Sequence, residues 1–333
     1  MKKILAIVLA ALMLFSLAAC GGEKATDGNA SDGNAPVKAT TMTMGTGGTG
    51  GTYYAYGGIL GSFIKAATGI NVNVVSTDGS KANIINIDAG NYQLGTVQSD
   101  VMAYAWAGSR TFETEGAMDS FRVIGGLYAE AVQLITMDPA IKEVEDLKGK
   151  KVSIGAPGSG VYFNAMDVLE AAGLTEEDIE PQYQSFNDSA DALKDGKIDA
   201  AFIVAGAPTP AIQELANTKG AYLVPIDGEI SKKLMESSPY YTEYKIPAET
   251  YKGQTEDVTT VTVKATLIVS ASASEEDVYN IAKAIFENGE AITNAHAKGA
   301  ELSIENATEG MTAPFHAGAA KYFAEKGVTV ETK

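Results

Sequence analysis

From Val37 onward the chain repeats one unit: a short strand, a loop of glycines and hydroxyl residues, then a helix. Thr40 to Met44 alternates polar and apolar side chains, which predicts a strand. The glycine-rich run Gly45 to Gly51 follows, and Tyr53, Tyr56, Ile59, Leu60, Phe63 and Ile64 then recur at helical spacing. Asn71 to Thr77 alternates as a second strand. After the Asp78-Gly79 turn, Ser80 is the expected N-cap of a short helix through Ile87. Tyr92 to Val97 reads as a third strand, and Gln98-Ser99-Asp100 opens a helix carrying Tyr104 and Trp106.

Past Asp138 the pattern restarts. Lys150 to Gly155 is an expected strand, Ala156 to Gly160 its loop, and Val161 to Ala172 a helix closed by Gly173. Asp199 to Val204 is a buried strand, followed by Ala205-Gly206-Ala207-Pro208, a helix to about Ala216, and a strand Tyr222 to Ile226. Such alternation predicts an α/β fold of doubly wound, parallel sheets covered on both faces. Two units in one chain predict two lobes. The β-rich stretches Val123 to Met137 and Val258 to Val269 are the expected crossings between them, side by side as hinge strands. The second crossing feeds a helix expected from Glu275 to about His296. Lobe 1 is then 38–126 with 264–333, and lobe 2 is 127–263 with the hinge crossings.

The N-terminus carries a different signal. Lys2 and Lys3 precede an apolar run from Ile4 to Leu17, and Leu17-Ala18-Ala19-Cys20 ends it. The run is shorter than the roughly 20 residues a membrane span needs, and it predicts a signal peptide over 1–20. The Leu-Ala-Ala-Cys arrangement resembles the bacterial lipobox, which implies lipidation of Cys20. Residues 21–37 hold no large apolar side chain through Pro36 and predict a disordered tether. Cys20 is the only cysteine, so the folded part has no disulfide, cysteine-ligated metal or catalytic thiol. These features predict an extracytoplasmic protein held to the membrane by its N-terminal lipid.

Charge and side-chain chemistry exclude several functions. The net charge is −17, and removal of Lys2 and Lys3 leaves 23 basic against 42 acidic residues, or −19. Nucleic acid is not an expected partner, because phosphate binding needs clustered lysine and arginine. Arg110 and Arg122 are the only arginines, so recognition of an anion must rest on backbone N–H groups, hydroxyls or lysines. Gly45 to Thr52 is not a P-loop, since no Gly-Lys-Ser/Thr follows. Ser159 lacks the flanking glycines of a nucleophile elbow, having Pro157 and Val161 in their places. Two histidines, His296 and His316, are too few for a zinc site without folded cysteine. His296 is expected to complement a helix dipole and His316 to be a structural or surface residue. Glu176-Glu177-Asp178 follows Thr175, the expected cap of a solvated helix start. No enzyme activity, cofactor or metal is expected.

What remains is a set of loops at the carboxyl ends of strands and the starts of helices. Ligands of open parallel sheets bind in that crevice, and helix starts offer unpaired N–H donors with partial positive charge. Thr46 lies in the first of these loops. Glu130, near the proposed hinge, is placed to accept a hydrogen bond from a ligand ammonium or to stabilise the hinge. Tyr53, Tyr54, Tyr56, Tyr162 and Phe163 supply aromatic surface, part of it for a pocket and part for the core.

A series of short blocks resembles the TAXI branch of TRAP transporter solute receptors. They are Gly51-Thr52-Tyr53-Tyr54, Gln98-Ser99-Asp100-Val101, Leu147-Lys148-Gly149-Lys150, Gly155 to Gly160, and Asp199-Ala200-Ala201-Phe202. Tyr240-Tyr241, Ile246-Pro247-Ala248 with Tyr251, and His316-Ala317-Gly318-Ala319 continue the series in family order. The resemblance implies a two-lobed periplasmic-binding-protein-like fold of type II. It implies closure around a small carboxylate or amino acid, glutamate-like, and delivery to a TRAP membrane permease subunit. An ATP-driven importer is the alternative partner. The resemblance places Thr52, Tyr53, Ser80, Gln98, Ser99, Ser159, Gly160 and Asn164 at the ligand, with Gly206 and Pro208 on the other side. Ala55, Ala129 and Ala317 stand where the family often has proline, which bears on loop shape and ligand preference.

Overall fold

The computed structural model describes residues 39–333. The expected signal peptide, Cys20 and the tether lie outside the described residues. Three short parallel strands open the fold: β1 (Thr41–Gly45), β2 (Asn71–Val75) and β3 (Leu94–Gln98). They alternate with α1 (Thr52–Thr68), α2 (Ser80–Asp88) and α3 (Ser99–Ala107). A 16-residue strand, β4 (Phe121–Thr136), then carries the chain into the second group of elements. That group is β5 (Lys151–Ser153), α4 (Val161–Ala171), β6 (Glu180–Gln182), α5 (Phe186–Lys194), β7 (Ala200–Ala205) and α6 (Pro210–Thr218). It continues with β8 (Tyr222–Val224), α7 (Gly228–Ser237) and β9 (Thr242–Ile246). The 13-residue β10 (Val258–Ser270) returns the chain, and α8 (Glu275–Phe286), α9 (Gly289–Ala295), α10 (Ile304–Thr308) and α11 (Ala317–Glu325) close it.

The strands form one sheet in the order β2-β1-β3-β10-β4-β7-β5-β6, with β8 along β4 and β9 along β10. The two outer triplets are parallel, as the repeated pattern predicts, but the central strands are antiparallel to their neighbours. A strand that crosses and a strand that returns must run in opposite directions. β4 pairs with β10 through Ala131, then takes β7 and β8 as neighbours. β10 shifts register between Ala265 and Thr266 and again between Leu267 and Ile268. Such bulges bend a strand locally.

Buried apolar side chains separate along these two strands. Met44, Leu60, Ile84, Val97, Leu127, Leu267, Ile281 and Phe323 belong to one cluster. Val132, Val152, Val168, Phe202 and Val261 belong to a second, and Ile135, Ile203, Ile212 and Leu215 to a third. The cluster changes along β4 between Tyr128 and Ala131, and along β10 between Val263 and Ala265. Glu130 therefore sits on β4 where the elements packed on the first cluster, a first body, adjoin those packed on the second and third, a second body.

Three local expectations need correction. The helix expected from Glu275 to His296 breaks after Phe286 into α8 and α9. Asn288 leaves helical geometry, and its Nδ2 donates to the Ala284 carbonyl at 2.8 Å, a side-chain bond that competes with the helix ladder. Ser80 does not cap α2; Gly79 precedes the helix with φ 109°, a conformation glycine tolerates, and the Ser80 hydroxyl instead accepts the Gln98 N–H at 3.0 Å. His296 does not serve the α9 dipole as a cation. Its Nδ1 accepts the Lys298 N–H at 3.2 Å, its ring lies edge-on to Tyr56, and burial lowers its pKa. His316 is structural: it caps α11 through the Gly318 N–H and bonds the Ala273 carbonyl.

Candidate functional site

Five helices, α1 to α5, begin around one cavity. Gly51 and Thr52 at the start of α1, Gly79 and Ser80 at α2, and Gln98 at α3 line it from the first body. Gly160 and Val161 at α4, and Ser185 and Phe186 at α5, line it from the second. Of these five, only α5 has a side-chain cap, from Ser185 to the Asp188 N–H. Uncapped helix starts leave N–H donors open to a ligand and carry partial positive charge, although at α2 the Lys81 and Ala82 N–H groups already donate to the Gly158 carbonyl. The cavity volume is about 70 Å³, where a single water takes roughly 10–15 Å³ by the same measure. It holds several waters or one small ligand.

Among the described residues two polar atoms at its wall have no partner: Ser159 Oγ and Gln184 Oε1 are both buried without a hydrogen bond. Orphaned polar groups of this kind cost free energy that a ligand can recover. The floor is Glu130 on β4, 1% exposed. Tyr53 Oη donates to its Oε2 at 2.5 Å, and among the described residues nothing donates to Oε1. Burial first, with Asp100 adding to it, pushes the Glu130 carboxyl well above the usual range; the Tyr53 bond and the more distant Lys298 oppose this. No lysine or arginine lines the cavity among the described residues. Arg110 is engaged with Asp167, and Arg122 with the carbonyls of Asp119 and Phe121.

Behind the cavity a chain of hydrogen bonds joins the two bodies. Gln98 Nε2 donates to Asn164 Oδ1 at 2.6 Å, and Asn164 Nδ2 donates to Asp100 Oδ2 at 2.9 Å and Tyr241 Oη at 2.8 Å. Asp100 is fully buried with Oδ1 unpartnered, and burial pushes its pKa to about 6 against the pull of Asn164. Tyr241 passes the chain to Asp167, which Arg110 clasps at 2.6 Å while lying over Tyr104 and Phe163. Other bonds close the rim: Thr52 Oγ1 to the Gly206 carbonyl at 2.8 Å, the Lys81 N–H to the Gly158 carbonyl at 3.1 Å, and the Ala211 N–H to the Gly50 carbonyl at 3.0 Å. The approach is close enough to require glycine at 160, where a Cβ would overlap Gln98 Oε1 and come within 2.6 Å of Val101 Cγ2.

Seven of the twelve residues expected at a ligand line this cavity: Thr52, Tyr53, Ser80, Gln98, Glu130, Ser159 and Gly160. The other five stand behind it. Thr46 bonds the Val75 carbonyl, Ser99 accepts the Lys264 N–H, and Asn164 is consumed by the network between the bodies. Gly206 offers its carbonyl to Thr52, and Pro208 lies beyond it without reaching the wall. Of the aromatic set, Tyr53 alone faces the cavity; Tyr56 is core, Tyr54 is exposed, and Tyr162 and Phe163 pack on each other. Gln184 and Phe186 are wall residues that the strand and loop patterns did not expose. Asn83 was also missed: it ties the first loop to β3 by donating to the Thr46 and Thr96 carbonyls.

The profile of the NMT1-like family matches residues 44–327, nearly all of the described chain. The alkanesulfonate-binding protein SsuA from Xanthomonas axonopodis pv. citri, bound to MOPS, is similar in structure, with a TM-score of 0.50 and 16% identity over 87% of this chain and 92% of its own. A protein from Bordetella bronchiseptica RB50 is similar with a TM-score of 0.52 and 16% identity over 86% and 89%. At such identity the likeness is one of fold, and the fold is the mixed α/β plan of periplasmic-binding-protein-like structures.

Proposed function

The chain belongs to the NMT1-like family, and we propose that it is an extracytoplasmic solute receptor that captures a small carboxylate or amino acid, glutamate-like, by closing two lobes around it. The observation that carries this reading is the cavity between the two packed bodies, ringed by five helix starts and walled by unpartnered Ser159 Oγ and Gln184 Oε1. Helix starts favour anions without needing a cationic side chain, which suits a lining that has none. Residues 38–126 with 264–333 form one lobe and 127–263 the other, and β4 and β10 are the hinge. Ligand shifts the population toward the closed arrangement because both bodies contribute donors to it. The protein does no chemistry on its ligand.

In this reading Cys20 carries the lipid, the segment to residue 37 is a tether, and the membrane partner is a TRAP permease. A receptor of an ATP-driven importer shares the cleft and differs in that partner. A permease gene beside this one, without an ATPase gene, favours the first. The ligand class is tested by thermal shift with glutamate, 2-oxoglutarate and C4 dicarboxylates, since tight binding must raise stability by mass action. Alkanesulfonates join the screen because a protein of the same fold binds one. Stabilisation by sulfonates and by no carboxylate would overturn the carboxylate reading. Small-angle scattering that does not change with a stabilising ligand would overturn lobe closure.

A further inference from the structure

Glu130 gives the cavity a second polarity, opposite to that of the helix starts. Among the described residues it is the only fully buried carboxylate of the wall, and Asp78, the other acidic lining residue, is exposed. A closed cleft that leaves Glu130 without a cation must either keep an ion desolvated or keep the carboxyl protonated, and both carry a cost. We propose that Glu130, oriented by Tyr53, binds the α-ammonium of the ligand, so that the receptor selects α-amino acids over carboxylates that lack the amine. The inference rests on the reading of the cavity as a ligand site and narrows its ligand class.

The surroundings of Glu130 agree with this role. Tyr53 from α1 fixes Oε2 and leaves Oε1 without a donor. Tyr128, one turn of the pleat away on β4, is fully buried, and its hydroxyl has no partner. Asp100 on α3 adds negative potential. Among the described residues the one cation that acts on Glu130 is Lys298, whose Nζ is held by Glu301 at 2.6 Å. Lys298 is thus committed elsewhere, and the cavity side of Glu130 lacks a positive partner. An α-amino acid supplies one, while its carboxylate takes the N–H groups at the helix starts. Both poles of a zwitterion are then met, whereas a dicarboxylate meets only one.

Protonation gives the test a sign. Burial holds the Glu130 carboxyl well above the usual carboxylate range, so a ligand without an amine that buries Glu130 further on binding should take up a proton and bind more weakly as pH rises. An ammonium beside Glu130 favours the ionised form and removes that dependence. The experiment is calorimetric titration of the full folded chain with matched pairs: L-glutamate and glutarate, L-aspartate and succinate, L-leucine and 4-methylpentanoate. At pH 8 the amine-bearing member of a binding pair should be tighter by at least roughly tenfold. The ratio should shrink toward pH 5 and approach one in Glu130→Gln. If the variant does not fold, the wild-type pH series carries the same comparison. Equal or tighter binding of the amine-free member at pH 8 would overturn the proposal and leave the carboxylate receptor standing. Binding by no member of any pair would overturn both.

Discussion

Two of the places where the two bodies meet are built on opposite rules. At the clasp, the protein supplies both partners: Arg110 holds Asp167, Tyr241 also bonds Asp167, and the guanidinium lies over Tyr104 and Phe163. At the cavity it supplies one side only. Four of the five helix starts lack side-chain caps, and among the described residues Ser159 Oγ and Gln184 Oε1 lack partners and Glu130 lacks a cation at the wall. A completed contact holds two bodies together by itself. An incomplete one holds them only when something else fills it. Between the two lies the node of Gln98, Asn164 and Asp100, where the network from the clasp reaches the cavity wall.

The largest expected effect comes from Asp100. Its pKa is about 6 in the folded chain, against an ordinary 3.8, because burial disfavours the charge. The folded state therefore binds this proton more tightly than the unfolded state does. The resulting stability is fully present below the ordinary value and is lost as pH rises through about 6. Asp100→Asn should remove that slope, so that the difference in unfolding free energy between variant and wild type changes by about 3 kcal/mol from pH 3 to 8. Parallel curves for the two proteins would show that Asp100 is solvated, and the node would no longer be a dry link between cavity and clasp.

Asn164→Ala sharpens the same point. It removes a donor from Asp100 and from Tyr241 and the acceptor of Gln98, all in one buried place. The cost should be about 2–3 kcal/mol, since buried groups are left unsatisfied. Denaturant midpoints measure it. Gly160→Ala should act on the proposed closure and not on the fold of either body, because the added Cβ meets Gln98 across the gap. Overpacking of this kind costs about 1–3 kcal/mol, so affinity for a ligand found by thermal shift should fall roughly tenfold to a hundredfold, with little change in unfolding. Equal losses in both measurements would mean that the contact at 160 is part of one body's core.

The repeating strand, loop and helix were legible because their signals are local: alternation in Thr41–Gly45 and Asn71–Val75, helical spacing from Tyr53 to Ile64, and glycine at 173 beyond α4. The long crossings were legible as unusually extended apolar runs. The wall formed by Gln184 and Phe186 was not, because the strand before it is three residues long and contains Pro181, too short and polar to alternate. Asn164, Ser99 and Gly206 are close to the cavity in sequence terms but spend their polar groups on the opposite body or on β10. Which side of a loop residue meets a partner depends on the other body, and no local pattern records that. Ser80 illustrates it: a serine after a turn reads as a cap, yet its hydroxyl is taken by Gln98 from the next strand.

The smallest expected effect is at the clasp itself, and it tests the comparison most directly. Arg110 is 37% exposed along its side chain and Asp167 12%, so solvent screens the pair. A double-mutant cycle of Arg110→Met and Asp167→Asn on unfolding free energy should give a coupling of about 0.5–1 kcal/mol. The coupling should weaken as salt rises from about 0.05 to 0.5 M, because the screening length contracts. Effects at Asn164 and Asp100 should hold steady over the same range, since those groups are buried. A clasp coupling of several kcal/mol, insensitive to salt, would mean that this contact alone fixes the closed arrangement. Ligand would then have little left to contribute, and the difference between a finished and an unfinished contact would lose its meaning for this protein.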